Sequence, residues 1–510
     1  MRIIRERNIS GFEEKYIEII EKNYNEFKDN LGKLIAIPSV VDEAEGNMPF
    51  GKNVDNALNF VLNMAEKDGF IIKNVDKYGG HIDFPTSRPI NESEPADEEE
   101  IVAVVGHLDV VPAGDIENWN TDPFSMVERD GKFFGRGVLD DKGPLLASYY
   151  AVKALKEAGF SPGKTIRLIL GCDEETEWKG MKYYMETEQP NVVSGFSPDA
   201  DFPAIHAEKG CTEFLVERKI SGESEGGRII TKMTGGTVTN AVADKATANL
   251  KFSGSPDECD AAWEKISSLS KSFKPRVTLP EEFNNPEDLI TLEKMPEINT
   301  VCLTSHGISA HGSRPDLGLN AISVMMDFLG QLDLPEGPSR EIVDFYNDHL
   351  GYTFNGENMG IAFSDEPSGK LSLNVGLVDI DQDKAGFTLD IRYPVTMDLD
   401  DVYDGIRATV VPEGYRVKCV NHMAPLYKPV DDPLIVTLMN AYKEFTGDEK
   451  SKPIVIGGGT YARAVPNTVA FGPVMPGRED ICHQPNEYIF AEDLYMSIKI
   501  FAKALYELAK

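Results

Sequence analysis

Acids and imidazoles, the side chains that bind divalent metals, recur along this chain where apolar segments stop. The first is His107, in Val105-Gly106-His107-Leu108-Asp109-Val110-Val111-Pro112. Residues 101–105 read as a buried strand of a parallel sheet, and Pro112 blocks its simple continuation. At such a strand end an imidazole can bind a metal while Asp109, two residues on, orients the ring. A strand cap explains the same pair. Asp140 and Asp141, in Gly135-Arg136-Gly137-Val138-Leu139-Asp140-Asp141-Lys142-Gly143-Pro144, stand directly before a helical pattern, where a carboxylate can bridge two cations or simply cap the helix. The run Cys172-Asp173-Glu174-Glu175-Thr176-Glu177 follows another apolar strand. Adjacent acids are costly to bury there unless cations compensate them, although an exposed acidic turn would escape that cost. Neighbouring glutamates can divide the work of metal-assisted hydrolysis, Glu175 as ligand and Glu174 as general base. Asp199, after Pro198, reads as a turn acid or a ligand, and His483 as a loop histidine or a ligand. Together His107, Asp140, Glu175, Asp199 and His483 form a set of two imidazoles and three carboxylates, which suits zinc, manganese or cobalt better than calcium.

The elements that must position this set alternate. A helical pattern over 12–37 ends at Pro38, strands follow at 101–105 and 165–170, and a helix at 143–158 carries Pro144 in its first turn. This is βαβ texture with a parallel sheet. Near residue 210 the texture changes to alternating strands at 214–218 and 387–393, with amphipathic helices at 260–270 and 319–332. After Pro425 the α/β texture returns, with strands at 454–456 and 469–471 and a terminal helix. The expected architecture is therefore α/β, a catalytic domain with a mainly parallel sheet flanked by helices and interrupted by an inserted α+β lid. The expected parts are 1–210 and 423–510 for the catalytic domain and 211–422 for the lid. Residues 278–299, acidic and carrying Pro280, Pro286 and Pro296, read as a loop insertion within the lid.

At 510 residues the chain exceeds one ordinary core. Its net charge of −33 disfavours nucleic acid and anionic membranes as partners. Part of that charge lies in residues 92–100, which read as an exposed acidic loop. No apolar run approaches the length of a membrane span, and the N-terminus turns polar too early for a secretory signal, so the cytoplasm is the expected location. The six cysteines show no C-x-x-C pair and are expected to be reduced thiols.

These motifs, in this order, resemble the co-catalytic zinc metallopeptidase family that includes carboxypeptidase G, aminoacylase, succinyl-diaminopimelate desuccinylase and carnosinase. The phrases G-H-L-D-V-V-P, G-R-G-V-L-D-D-K-G-P, D-E-E-T-E-W-K-G, F-S-P-D-A-D-F-P and G-G-G-T-Y-A-R are most similar to bacterial dipeptidases of the peptidase V type. The resemblance runs from residue 37 to residue 483. It implies two zinc ions, with manganese or cobalt as substitutes, bridged by Asp140. His107 and Asp199 would hold the first ion, Glu175 and His483 the second. It further implies that Asp109 orients His107, that Glu174 is the general base, and that the Asp140-Asp141 peptide is cis. In the lid, His311 matches the histidine that donates to the developing oxyanion. Asn240 and Arg392 match residues that hold the substrate's terminal carboxylate, to which Gly458, Gly459 and Thr460 of the glycine turn would add backbone N–H groups. The lid is about twice the size found in dimeric relatives, which implies a monomer.

The resemblance implies a dipeptidase acting on short peptides with a free C-terminal carboxylate. A deacylase of N-acyl amino acids would use the same metals and base. A catalytically silent peptide-binding relative would be expected to lack the base or a ligand, and this chain has both.

Overall fold

A computed structural model describes residues 11–87, 99–220, 229–252, 254–279, 283, 286–295, 299–479 and 481–510. The chain forms two compact units, one of Met1–His206, Lys428–Ile454 and Thr460–Lys510, the other of Ala207–Tyr427 and Val455–Gly459.

The first unit is built on a six-stranded sheet in the order Ile71–Val75, Gly79–Phe84, Thr165–Gly171, Ile101–His107, Val192–Ser197, Thr468–Ala470. The last four strands are mutually parallel and the first two are added antiparallel. Both central strands, Ile101–His107 and Thr165–Gly171, are buried at every residue, as strands covered on both faces must be. Helix Lys142–Ala158 packs against Gly11–Ile35 and Ala491–Ala509. The register that sets His107 opposite Gly171 makes the two central strands end level, so the turns that follow them emerge on one edge.

The second unit carries an eight-stranded antiparallel sheet in the order Ile290–Lys294, Thr300–His306, Lys245–Lys251, Ile230–Gly235, Ser372–Ile380, Lys384–Tyr393, Gly210–Lys219, Arg416–Met423. Helix Ala321–Gly330 lies on it, with all but the last of its residues buried, and Pro256–Ser272 opens with a Ser255–Glu258 capping box. The fold is thus mixed α/β, a mainly parallel sheet flanked by helices and interrupted by an inserted α+β unit.

Two details depart from the sequence reading. Part of the segment read as a loop insertion is ordered secondary structure. Pro286–Leu289 is a helical turn, and Ile290–Lys294 is an edge strand paired with Thr300–His306, held by the buried Leu289 and Ile290. Val455–Gly459 groups with the inserted unit rather than with the C-terminal α/β part, because the Lys209 N–H donates to the Ile456 carbonyl at 3.0 Å and Arg392 to that of Gly457. Most of the acidic loop, residues 92–98, lies outside the described residues. Among those described, no helix is long and apolar enough to cross a membrane.

Candidate metal and hydrolytic site

His107 is the last residue of its strand, two positions beyond where the apolar pattern stops, and it is fully buried. Its Nδ1 lies 2.9 Å from the Asp109 carbonyl oxygen and 3.5 Å from the Asp109 carboxylate, so the backbone of Asp109 orients the ring more closely than its side chain does. The Asp109 carboxylate instead accepts from the Glu175 N–H at 3.0 Å and ties two strand-end turns together.

Asp140 and Asp141 are joined by a cis peptide bond immediately before helix Lys142–Ala158. Asp141 occupies the N-cap position, yet its side chain does not cap. Its Oδ2 accepts from the His107 backbone N–H at 3.0 Å. Gly106 permits this approach, because a Cβ there would stand 2.2 Å from that oxygen. Asp140 is thereby left facing the strand ends. Its Oδ1 lies 3.0 Å from His107 Nε2 and its Oδ2 2.9 Å from His483 Nε2.

Glu174 and Glu175 diverge after Asp173, which is itself turned inward to accept from the Gly180 N–H and the Tyr461 hydroxyl. Glu175 meets His483 Nε2 at 3.1 Å, and Asp199 Oδ2 lies 3.6 Å from His107 Nε2. Ligand atoms of His107, Asp140 and Glu175 all fall within 4.8 Å of one another, and so do those of His107, Glu174 and Asp199. All six residues read from the sequence therefore meet at one place in the first unit. Glu174 stands on the Asp199 side.

Four carboxylates here face two imidazoles. Burial pushes the Glu174 carboxyl well above its usual range, Glu175 to about 7, and Asp199 upward, with Asp140 adding repulsion to the last two. Burial acts the same way on Asp140, but His107 and His483 outweigh it and hold that carboxyl well below the usual range. His483 is pushed up to about 11 by Asp140 and Glu175. The buried His107 Nε2 and Asp140 Oδ1 have no hydrogen-bond partner. The Asp109 carbonyl accepts only, so it places a proton on Nδ1 and turns Nε2 to the carboxylate oxygens. Those acids outweigh burial and raise the His107 imidazole well above its usual value, so a positive charge belongs at Nε2: a proton, or a metal ion in its place. The 2.9–3.6 Å spacings match donor atoms about 3.3 Å apart around a tetrahedral ion bound at about 2.0–2.1 Å. The donor set fits borderline-soft divalent metal.

In the second unit the predicted residues form their own cluster. The Gly312 N–H donates to the Asn240 carbonyl at 2.6 Å, and Ala241 pairs with His311. His311 is exposed, with Nδ1 2.7 Å from the Ser313 hydroxyl. Gly312 lets this loop lie on Asp390, where a Cβ would come within 2.3 Å of its carboxylate. Arg392 is buried, its Nε and Nη2 each 3.0 Å from an Asp390 oxygen and its Nη1 donating to the Gly457 carbonyl at 3.1 Å. The alternating strand pattern around Arg392, taken without the resemblance, reads it as a solvated strand residue, and its burial overturns that reading. Gly458 and Gly459 end this unit, while Thr460 opens a short helical turn of the first unit, its hydroxyl accepting from the Ala462 N–H.

Two residues of the first unit went unread in the sequence. Glu487 and Arg136 are both fully buried, 2.7 Å apart, between the loops of Asp140 and His483. Each lies four residues from a candidate ligand, the one signal that could have found them.

The sequence profile described as Peptidase family M20/M25/M40 matches residues 103–507. A protein of Staphylococcus epidermidis named provisionally as a dipeptidase is 34% identical over 489 residues, covering 95% of this chain and 97% of its own. One of Bacillus subtilis, similarly named, is 34% identical over 499 residues, covering 97% and 99%. Among solved structures, human carnosine dipeptidase 1 shares the fold with a TM-score of 0.55 at 17% identity, covering 98% of this chain and 99% of that one. Aminoacylhistidine dipeptidase from Vibrio alginolyticus gives a TM-score of 0.54 at 14% identity, covering 95% and 96%.

Proposed function

The chain belongs to peptidase family M20/M25/M40, a hydrolytic peptidase, and from that premise we propose a dipeptidase that cleaves short peptides with a free C-terminal carboxylate at two divalent cations, zinc by preference and manganese or cobalt as substitutes. The observation that carries this reading is the convergence of His107, Asp140, Glu174, Glu175, Asp199 and His483 around a buried nitrogen and oxygen that make no hydrogen bond. In it His107 and Asp199 would hold one ion and Glu175 and His483 the other, with Asp140 between them. When bound, such ions polarise the scissile carbonyl and bring a water's pKa toward neutrality.

The chain's own groups do the rest. Glu174, whose carboxyl burial makes more basic, takes the proton of the attacking water and returns it to the leaving amine. Asp109 fixes the His107 ring through its carbonyl and the Glu175 backbone through its carboxylate. His311 donates to the developing oxyanion. Arg392 and Asn240 receive the terminal carboxylate, together with the backbone N–H groups of Gly458, Gly459 and Thr460. These last roles rest on the resemblance, as do action as a monomer and location in the cytoplasm.

Hydrolysis of a dipeptide and of its N-acetylated form distinguishes this reading from a deacylase. The free dipeptide is expected to be cleaved and the blocked one spared; preference for the blocked form would overturn the reading.

A further inference from the structure

The buried pair Arg136–Glu487 has no part in the chemistry described above, yet it touches both of the loops that reach Asp140. Glu487 Oε2 accepts from Arg136 Nη1 at 2.7 Å. Its Oε1 accepts from the backbone N–H groups of Gly137, Leu139 and Asp140 at 3.0, 2.9 and 3.3 Å. The Glu487 carbonyl accepts from the Gly135 N–H at 3.1 Å. A single carboxylate therefore fixes the whole turn that delivers Asp140. Arg136, stacked on Trp119 with its guanidinium 5.2 Å from the ring, reaches the carbonyls of Pro112 and His483, each at 3.4 Å. His483 needs such restraint, because it sits at φ 64, a left-handed conformation that a non-glycine residue leaves readily unless its surroundings hold it.

We propose that Arg136 and Glu487 are positioning residues that fix the span between Asp140 and His483, and so set the affinity of the cation site formed by Asp140, Glu175 and His483 more strongly than that of the His107–Asp199 side, which shares only Asp140 with it. This rests on the metal reading above. Partners behind a metal ligand typically change affinity by about 10–100-fold when removed, and that range is expected here for the ion beside His483, with a smaller effect on the other.

The test titrates Zn2+ into the chelator-treated full chain, following affinity by competition with a fluorescent chelator, for wild type, Glu487→Gln and Arg136→Lys. The Glu487→Gln change keeps an amide oxygen to face the backbone N–H groups and removes the charge facing Arg136. The Arg136→Lys change keeps the charge and removes the fork. The expected result is two tight equivalents in wild type, and in both variants one equivalent weakened about 10–100-fold with the other clearly less affected. If Glu487→Gln does not fold, Arg136→Lys decides alone. A second equivalent within twofold of wild type, or equal weakening of both, overturns the proposal. Fewer than two equivalents in wild type would instead overturn the metal reading on which it stands.

Discussion

The two clusters of ionisable groups treat charge in opposite ways. In the first unit, four carboxylates and two histidines crowd one edge of the parallel sheet, and the closest contacts leave His107 Nε2 and Asp140 Oδ1 without hydrogen-bond partners. In the second, buried Arg392 pairs with Asp390, its Nη2 donating to one carboxylate oxygen and its Nε at ion-pair distance, 3.0 Å, from the other. One cluster holds four acids against two imidazoles; the other sets an acid beside its arginine. Burying carboxylates without compensation is costly, so the first arrangement marks a place built around something that binds, whereas the second holds its arginine in place with an acid of its own.

The sharpest way to break this contrast is at Glu174. Glu174→Ala is expected to lower kcat by about 10²–10⁴-fold, the usual range for a general base, with cation content unchanged by elemental analysis. Lost cations would make Glu174 a ligand instead. Next come matched substitutions in the two clusters. Asp390→Asn leaves Arg392 buried and unpaired and should cost about 3–5 kcal/mol in denaturant unfolding, with or without metal. Asp199→Asn should do the reverse in the chelated protein, raising its stability by relieving repulsion from Asp140, while weakening cation binding. If both destabilise the chelated protein, the contrast fails. The smallest expected effect lies outside both clusters. His81, held neutral by burial and by Arg167, has its pKa lowered to about 3, so the unfolded chain binds more protons between the ordinary 6.5 and about 3. Stability should then fall as pH drops through that window, by at most about 1.4 kcal/mol per pH unit. Thermal unfolding of wild type and His81→Gln from pH 6.5 to 4 checks it, the variant showing a shallower slope.

Much of this was legible because strand ends leave a local signature. The apolar run into His107 and the acids after the next strand are both read from neighbouring residues, and the parallel register brings them level. The helix-cap alternative for the Asp140–Asp141 pair could be removed only by seeing Asp141 turned to the His107 backbone. Arg136 and Glu487 were not legible, since a buried pair separated by 351 positions has no periodicity to announce it. Arg392 had the look of a solvated strand residue, because its burial depends on the neighbouring strand Gly210–Lys219 and on Gly457, neither of them local in sequence. Prolines in 278–299 pointed to a loop, but edge strands tolerate flanking prolines, and the pairing with Thr300–His306 prevailed.

The central claim is that the first cluster works only when cations complete it. Hydrolysis of an unblocked dipeptide, followed while Zn2+ is added back to the chelated protein, tests that claim most directly. Activity should be absent at the start, rise with added metal and level off at two equivalents per chain; full hydrolysis by the metal-free protein would contradict it.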